Sequence, residues 1–133
     1  MTAKEYLSQV RKMDSRLRLV GQKIEKLRSA LDYSSPALDA SGSVSSSADK
    51  LPDTISLIMD YEQQAAELRQ EYITKYKEID SSIAAVPDAV MREVLERRYL
   101  LYQRWEQIAE EMHFSQRHIY RLHGTALQKI KCH

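Results

Sequence analysis

Residues 105–130 read Trp105-Glu106-Gln107-Ile108-Ala109-Glu110-Glu111-Met112-His113-Phe114-Ser115-Gln116-Arg117-His118-Ile119-Tyr120-Arg121-Leu122-His123-Gly124-Thr125-Ala126-Leu127-Gln128-Lys129-Ile130. Apolar residues recur in it at helical spacing on either side of a short break. Trp105, Ile108, Ala109 and Met112 share one face of a short helix, and Ala109 is small where two helices must cross closely. Ile119, Leu122, Ala126, Leu127 and Ile130 make the inward face of a second helix, expected over residues 116–131. Between the two, Phe114 is expected to plug the turn, and Ser115 to cap the second helix by accepting a backbone N–H. Gln116, Arg117, His118, Tyr120 and Arg121 are left on the outer face of that helix's first turns. Such hydrogen-bonding side chains suit the major groove of double-stranded DNA, where arginine pairs with guanine and glutamine with adenine.

Upstream of this stretch, Pro87 breaks a preceding helix and Asp88 can cap a new one over residues 88–101, with Val90, Val94, Leu95 and Tyr99 inward. Residues 87–133 therefore read as a three-helix, helix-turn-helix domain. Trp105 is expected to be a core anchor, and Arg98 to pair with Glu106 or Glu110. Arg97 or Arg104 is expected to reach phosphate, which adds affinity without sequence information.

Farther upstream, Tyr6, Val10, Met13, Leu17, Val20, Ile24, Leu27 and Leu31 alternate spacings of three and four from Val10 onward. This is a heptad seam on a helix of about residues 3–31, and so narrow a stripe needs a partner helix. A second seam, Ile58, Tyr61, Ala65, Leu68, Tyr72, Ile79, Ile83 and Val86, lies on a helix of about residues 53–86, interrupted at Lys75. The serine-rich stretch 32–52 between them lacks periodicity and reads as a loop. The expected architecture is all-α: a long N-terminal helical hairpin or coiled coil over residues 1–86, followed by the helix-turn-helix domain over 87–133. The seams can pair within one chain or between two copies, making a homodimer.

Net charge is only +1, so bulk electrostatics do not single out a nucleic-acid partner, but its distribution is uneven. No acidic residue follows Glu111, whereas Arg117, Arg121, Lys129 and Lys131 do. One cysteine, Cys132, gives no sign of a disulfide framework. A polar start without a signal-peptide pattern, and the lack of any apolar run near the ~20 residues of a bilayer span, lead to an expected cytoplasmic location with no membrane partner.

Residues 104–130 resemble, without a gap, the promoter-reading helix-turn-helix at the C-terminal end of bacterial sigma factors, known as region 4. The matching skeleton is Trp105-Glu106-Gln107-Ile108-Ala109, Met112, Phe114-Ser115, Ile119, Leu122 and Ala126-Leu127-Gln128-Lys129-Ile130, with Val94-Leu95-Glu96-Arg97-Arg98-Tyr99 similar to the preceding helix. The layout as a whole is similar to small transcriptional regulators of Gram-positive prophages, including late-transcription activators of the ArpU type. The resemblance implies that Gln116, Arg117, His118, Tyr120 and Arg121 contact bases or phosphates; Arg104 and Ser115 complete the expected DNA-binding set. Departures from the pattern imply a different target: it usually has arginine where Gln116, His118 and Tyr120 stand, and an acid where Arg117 stands. His113 replaces the usual turn residue, and Gly124 a usual alanine, at up to ~1 kcal/mol. The front half does not match the sigma domain that grips the polymerase clamp, so an accessory regulator is expected rather than a complete sigma factor, with RNA polymerase as a further possible partner.

Other chemistries find less in the sequence. His113, His118 and His123 are five apart and do not share a helix face, and Cys132 and His133 have no second ligand pair, so no metal site is expected. No phosphate loop, nucleophile elbow or convergent acid pair is present, so neither catalysis nor a cofactor is expected. The competing expectation is a coiled-coil adaptor that binds RNA polymerase or a phage protein without reading DNA.

Overall fold

A computed structural model of the chain describes the backbone of residues 1–41 and 44–131, with side chains described outside residues 33–50. Six α-helices and one π-helical turn occur among these residues: α1 Ala3–Leu7, α2 Gln9–Ser41, α3 Val44–Ala84, α4 Ala89–Leu95, the π turn Glu96–Leu100, α5 Trp105–Met112 and α6 Gln116–Gln128. The fold is all-α, with no strand among the described residues. Thr2 starts α1 with a reciprocal cap, its hydroxyl accepting the Glu5 N–H while the Glu5 carboxylate accepts the Thr2 N–H. Such a cap satisfies two N–H groups that the first turn leaves unpaired.

The chain divides into two compact units, one of residues 1–14 with 71–133 and the other of residues 15–70. In the first, Tyr6, Leu7 and Val10 pack with Ile79, Ile83 and Val86, so the beginning of α2 meets the end of α3 as an antiparallel hairpin requires. The same cluster takes in Leu95, Tyr99, Ala126 and Ile130 from the C-terminal helices. The Tyr6 hydroxyl donates to the Glu78 carboxylate at 2.9 Å and bonds the Ser82 hydroxyl at 3.2 Å, which satisfies its one polar atom at the edge of the core. A second cluster of Val94, Ile108, Ala109 and Ile119 holds α4, α5 and α6 together. In the other unit, Val20, Ile58 and Ala65 are buried, the Lys23 ammonium lies 5.4 Å from the Tyr61 ring centre, and Arg28 pairs with Glu62. The members of both predicted seams are all buried or half-buried, and Tyr6 and Val10 of the first pack with Ile79, Ile83 and Val86 of the second.

Three expectations are corrected. The stretch 32–52 is not a loop throughout: α2 continues to Ser41 and α3 begins at Val44 with Pro52 inside it, while Gly42 and Ser43 lie outside the described residues. Missing hydrophobic periodicity does not by itself exclude a helix. Extending a formed helix needs no new nucleus, and Ala37, Leu38, Ala40, Ala48 and Leu51 favour it. Next, the helix expected over 88–101 is α-helical only to Leu95 and widens into the π turn, where the Leu101 N–H donates to the Glu96 carbonyl at 3.1 Å. Last, the expected boundary at Pro87 does not separate two cores, because Ile83 and Val86 share a cluster with Leu95 and Ile130. Asp88 does cap α4, its Oδ1 accepting from Val90 and Met91 N–H at 2.9 and 3.0 Å.

Residues 87–133 alone would expose Leu95, Tyr99, Ala126 and Ile130, having lost the apolar wall of residues 1–14 and 71–86 that covers them. A fragment of residues 87–133 is expected to lack the cooperative thermal transition of the full chain, followed by helical circular dichroism. A fragment melting as sharply and as late as the full protein would show that residues 1–14 and 71–86 are dispensable to the C-terminal helices.

Candidate nucleic-acid interface

Helices α5 and α6 are joined by a three-residue turn whose geometry follows from its hydrogen bonds. His113 adopts the left-handed conformation (φ 60°), its N–H donates to the Glu110 carbonyl at 3.3 Å, and the Phe114 N–H donates to the Ala109 carbonyl at 3.0 Å. This paired arrangement closes the last turn of α5 with a residue that carries a Cβ where glycine is preferred. Ser115 then caps α6 by accepting the His118 N–H at 3.2 Å. Ile108 and Ala109 bury against Ile119, which sets α6 across α5. Both helix starts, at Trp105 and Gln116, fall where the apolar phase predicts them, but α6 ends at Gln128 rather than Lys131. The turn is not plugged by Phe114, which stays 37% exposed with its ring edge-on to His118, 4.8 Å between centres. An aromatic ring just past a left-handed residue is carried out of the core, toward the outer face of the next helix.

Gln116, Arg117, Tyr120 and Arg121 are exposed on the first turns of α6, with His118 half-buried beside them. Tyr120 rests edge-on against Trp105 at 5.2 Å while remaining 48% exposed. An Arg121 guanidinium N–H donates to Nδ1 of His118 at 2.8 Å. Ser115 is exposed with its oxygen engaged in the cap, and Arg104 is exposed at the start of α5. These seven residues, predicted as the interface, thus belong to α6 and to the residues just before α5 and α6.

The arginines preceding α5 have other duties. Arg98 does not pair with Glu106 or Glu110: its guanidinium donates to the Gln103 carbonyl at 2.9 Å and lies over the Trp105 ring, 4.5 Å from the centre. The π turn inserts a wider ring of backbone, so residues 96–100 leave the phase that an α-helix would give them. Arg97 is bound to the Glu93 carboxylate at 2.8 Å and to Glu111, so of the two arginines expected to reach phosphate, Arg104 is the one not held by an acid.

His123 was legible only as a histidine on the inward side of α6, four residues after Ile119 and three before Ala126. It is buried, its Nε2 lies 2.6 Å from the Tyr99 hydroxyl, and its ring meets Trp105 edge-on at 4.6 Å. Burial, reinforced by the charges of Lys4 and Arg98, lowers its pKa to about 4. His123 therefore links the π turn, α5 and α6 as a neutral polar group in the core. No cluster of histidine, cysteine or acidic side chains able to hold a metal occurs among the described residues, and Cys132 and His133 lie outside them. No protein family, curated protein or solved structure matches this chain.

Two outcomes follow from this geometry. His113→Gly removes the Cβ strain at a left-handed position, and is expected to raise stability by about 0.5–1 kcal/mol, read as a shift of the urea midpoint. Unchanged or lower stability would mean the His113 side chain contributes more than its strain costs. For His123 the unfolded state binds a proton more readily than the folded state, so stability rises with pH between about 4 and about 6.5 and is lost as pH falls through that window. The limiting slope from this one group is about 1.4 kcal/mol per pH unit. Urea titrations at pH 7 and pH 5 should show the loss, and His123→Gln should flatten it; an equal slope in the variant would assign the effect elsewhere.

Proposed function

We propose that this protein is a sequence-specific, sigma-like transcriptional regulator of the kind carried by phages, reading the major groove of double-stranded DNA with residues 116–130. The observation that carries this reading is the gathering of Gln116, Arg117, Tyr120 and Arg121, all exposed, on the first turns of a helix buried on its opposite side through Ile119, His123 and Ala126. Apolar matches alone would describe many three-helix bundles; this set of outward donors is what a bundle does not need. The resemblance of residues 104–130 to the promoter-reading part of sigma factors points the same way. Two copies joined through the N-terminal helices would bring two small readers to half-sites roughly 34 Å apart, raising effective concentration at the second.

An adaptor that binds RNA polymerase or a phage protein without reading DNA is the second reading. It is favoured by Leu19 and Leu57, which are 44% and 42% exposed and line one groove with Leu27 and Tyr61.

Selection of binding sites from a random DNA pool at two salt concentrations separates the readings. DNA reading predicts an enriched motif that disappears in the Arg117→Ala/Arg121→Ala double variant, each base contact contributing about 1–3 kcal/mol. The same titration read for stoichiometry should give two chains per site, and added core polymerase should shift the complex further. Motif-free binding that vanishes with salt would reduce the interaction to phosphate attraction, and no binding would leave the adaptor.

A further inference from the structure

His118 and Arg121 lie one turn apart on α6, and Phe114, in the turn just before that helix, reaches the same side: His118 touches both of the others. The His118 ring is held between the Phe114 ring, 4.8 Å away between centres, and the Arg121 guanidinium, 2.8 Å from Nδ1. A guanidinium has no lone pair to offer, so it can only donate. Nδ1 of His118 must therefore be the acceptor, which places the ring proton on Nε2. Nε2 makes no hydrogen bond among the described residues. The pair thus presents donors alone: Nε2–H of His118 and the remaining N–H groups of Arg121. No carboxylate lies among residues 112–131 to add an acceptor.

We propose that His118 and Arg121 act as one preassembled unit that selects guanine at a fixed position of the target site. In the major groove guanine shows two acceptors, N7 and O6, and no donor. Adenine shows one acceptor beside an amino donor, which would face another donor. Cytosine shows an amino donor, and thymine one acceptor beside a methyl group. A side-chain pair that offers only donors is matched in full by guanine and opposed or half-satisfied by the rest. Phe114 and Arg121 hold the imidazole from two sides, so the unit meets the base with little side-chain freedom left to lose. This assignment rests on the reading of α6 as a DNA-reading helix and adds to it the base and the tautomer.

The experiment compares motifs selected from a random pool by the full-length wild-type chain, His118→Ala, His118→Asn and Arg121→Ala. Helical circular dichroism checks that each exposed variant is folded. The wild type should return a motif with an invariant guanine. That guanine should relax to near-random in His118→Ala and Arg121→Ala, and shift toward adenine in His118→Asn, because an amide offers an acceptor beside a donor. Replacing this guanine by 7-deazaguanine, which lacks the N7 acceptor, should weaken wild-type binding about tenfold or more and leave Arg121→Ala nearly unchanged. A wild-type motif whose guanines are all indifferent to positions 118 and 121 overturns the inference while leaving DNA reading intact. Failure of the wild type to enrich any motif overturns DNA reading, and this inference with it.

Discussion

The structure depends on one apolar contact: Tyr6, Leu7 and Val10 at the start of the chain buried against Ile79, Ile83 and Val86 at the end of α3. Fully burying a side chain of this size contributes about 1.5–3 kcal/mol. The layer so formed has two faces of use, since Leu95, Tyr99, Ala126 and Ile130 pack into the same cluster. Eight-residue α5 and thirteen-residue α6 have little core of their own. Residues 1–14 and 71–86 supply the missing wall, so they belong to the unit that carries the candidate interface.

Connection between that wall and the interface runs through a short chain of polar and aromatic contacts. Tyr99 comes from the π turn, bonds His123 of α6, and His123 in turn meets Trp105 at the start of α5. Trp105 has Arg98 above it and Tyr120 at its edge. Each aromatic ring fixes the next, and Tyr120 is the exposed end of the series. Removing His123 would therefore leave a buried Tyr99 hydroxyl without its partner and loosen the contact beneath Tyr120, a cost paid in the core and felt at the surface. The left-handed residues Tyr102 (φ 59°) and His113 (φ 60°) bracket α5, which shows how tightly its two connections are turned.

Much of this was legible in one dimension. Both heptad seams, the starts of α5 and α6, the Asp88 and Ser115 caps and the outward set on α6 follow from spacing, because a regular helix converts sequence separation into angle with no tertiary information. The errors lie where that conversion fails. Phe114 counts as core by residue type, yet a left-handed residue before it sends it outward, where it meets His118. Arg98 is expected to pair with acids of α5, but the π turn carries it to the Gln103 carbonyl and over the Trp105 ring. The serine-rich stretch reads as loop because its sequence has no apolar periodicity, although helix propagation does not require one.

By itself the sequence determined the all-α class, the periodic faces, the breaks at Pro87 and after Met112, and the chemistry carried on the outer face of α6. These are local properties, set by backbone dihedrals and the helical repeat. Tertiary structure alone decided that residues 1–14 and 71–86 share a core with the C-terminal helices, that His123 is buried against Tyr99, and that Arg121 and His118 are joined as a donor pair. The reason is physical: burial and hydrogen-bond partnership depend on which faces meet, and a helical repeat states which residues share a face without stating what lies opposite.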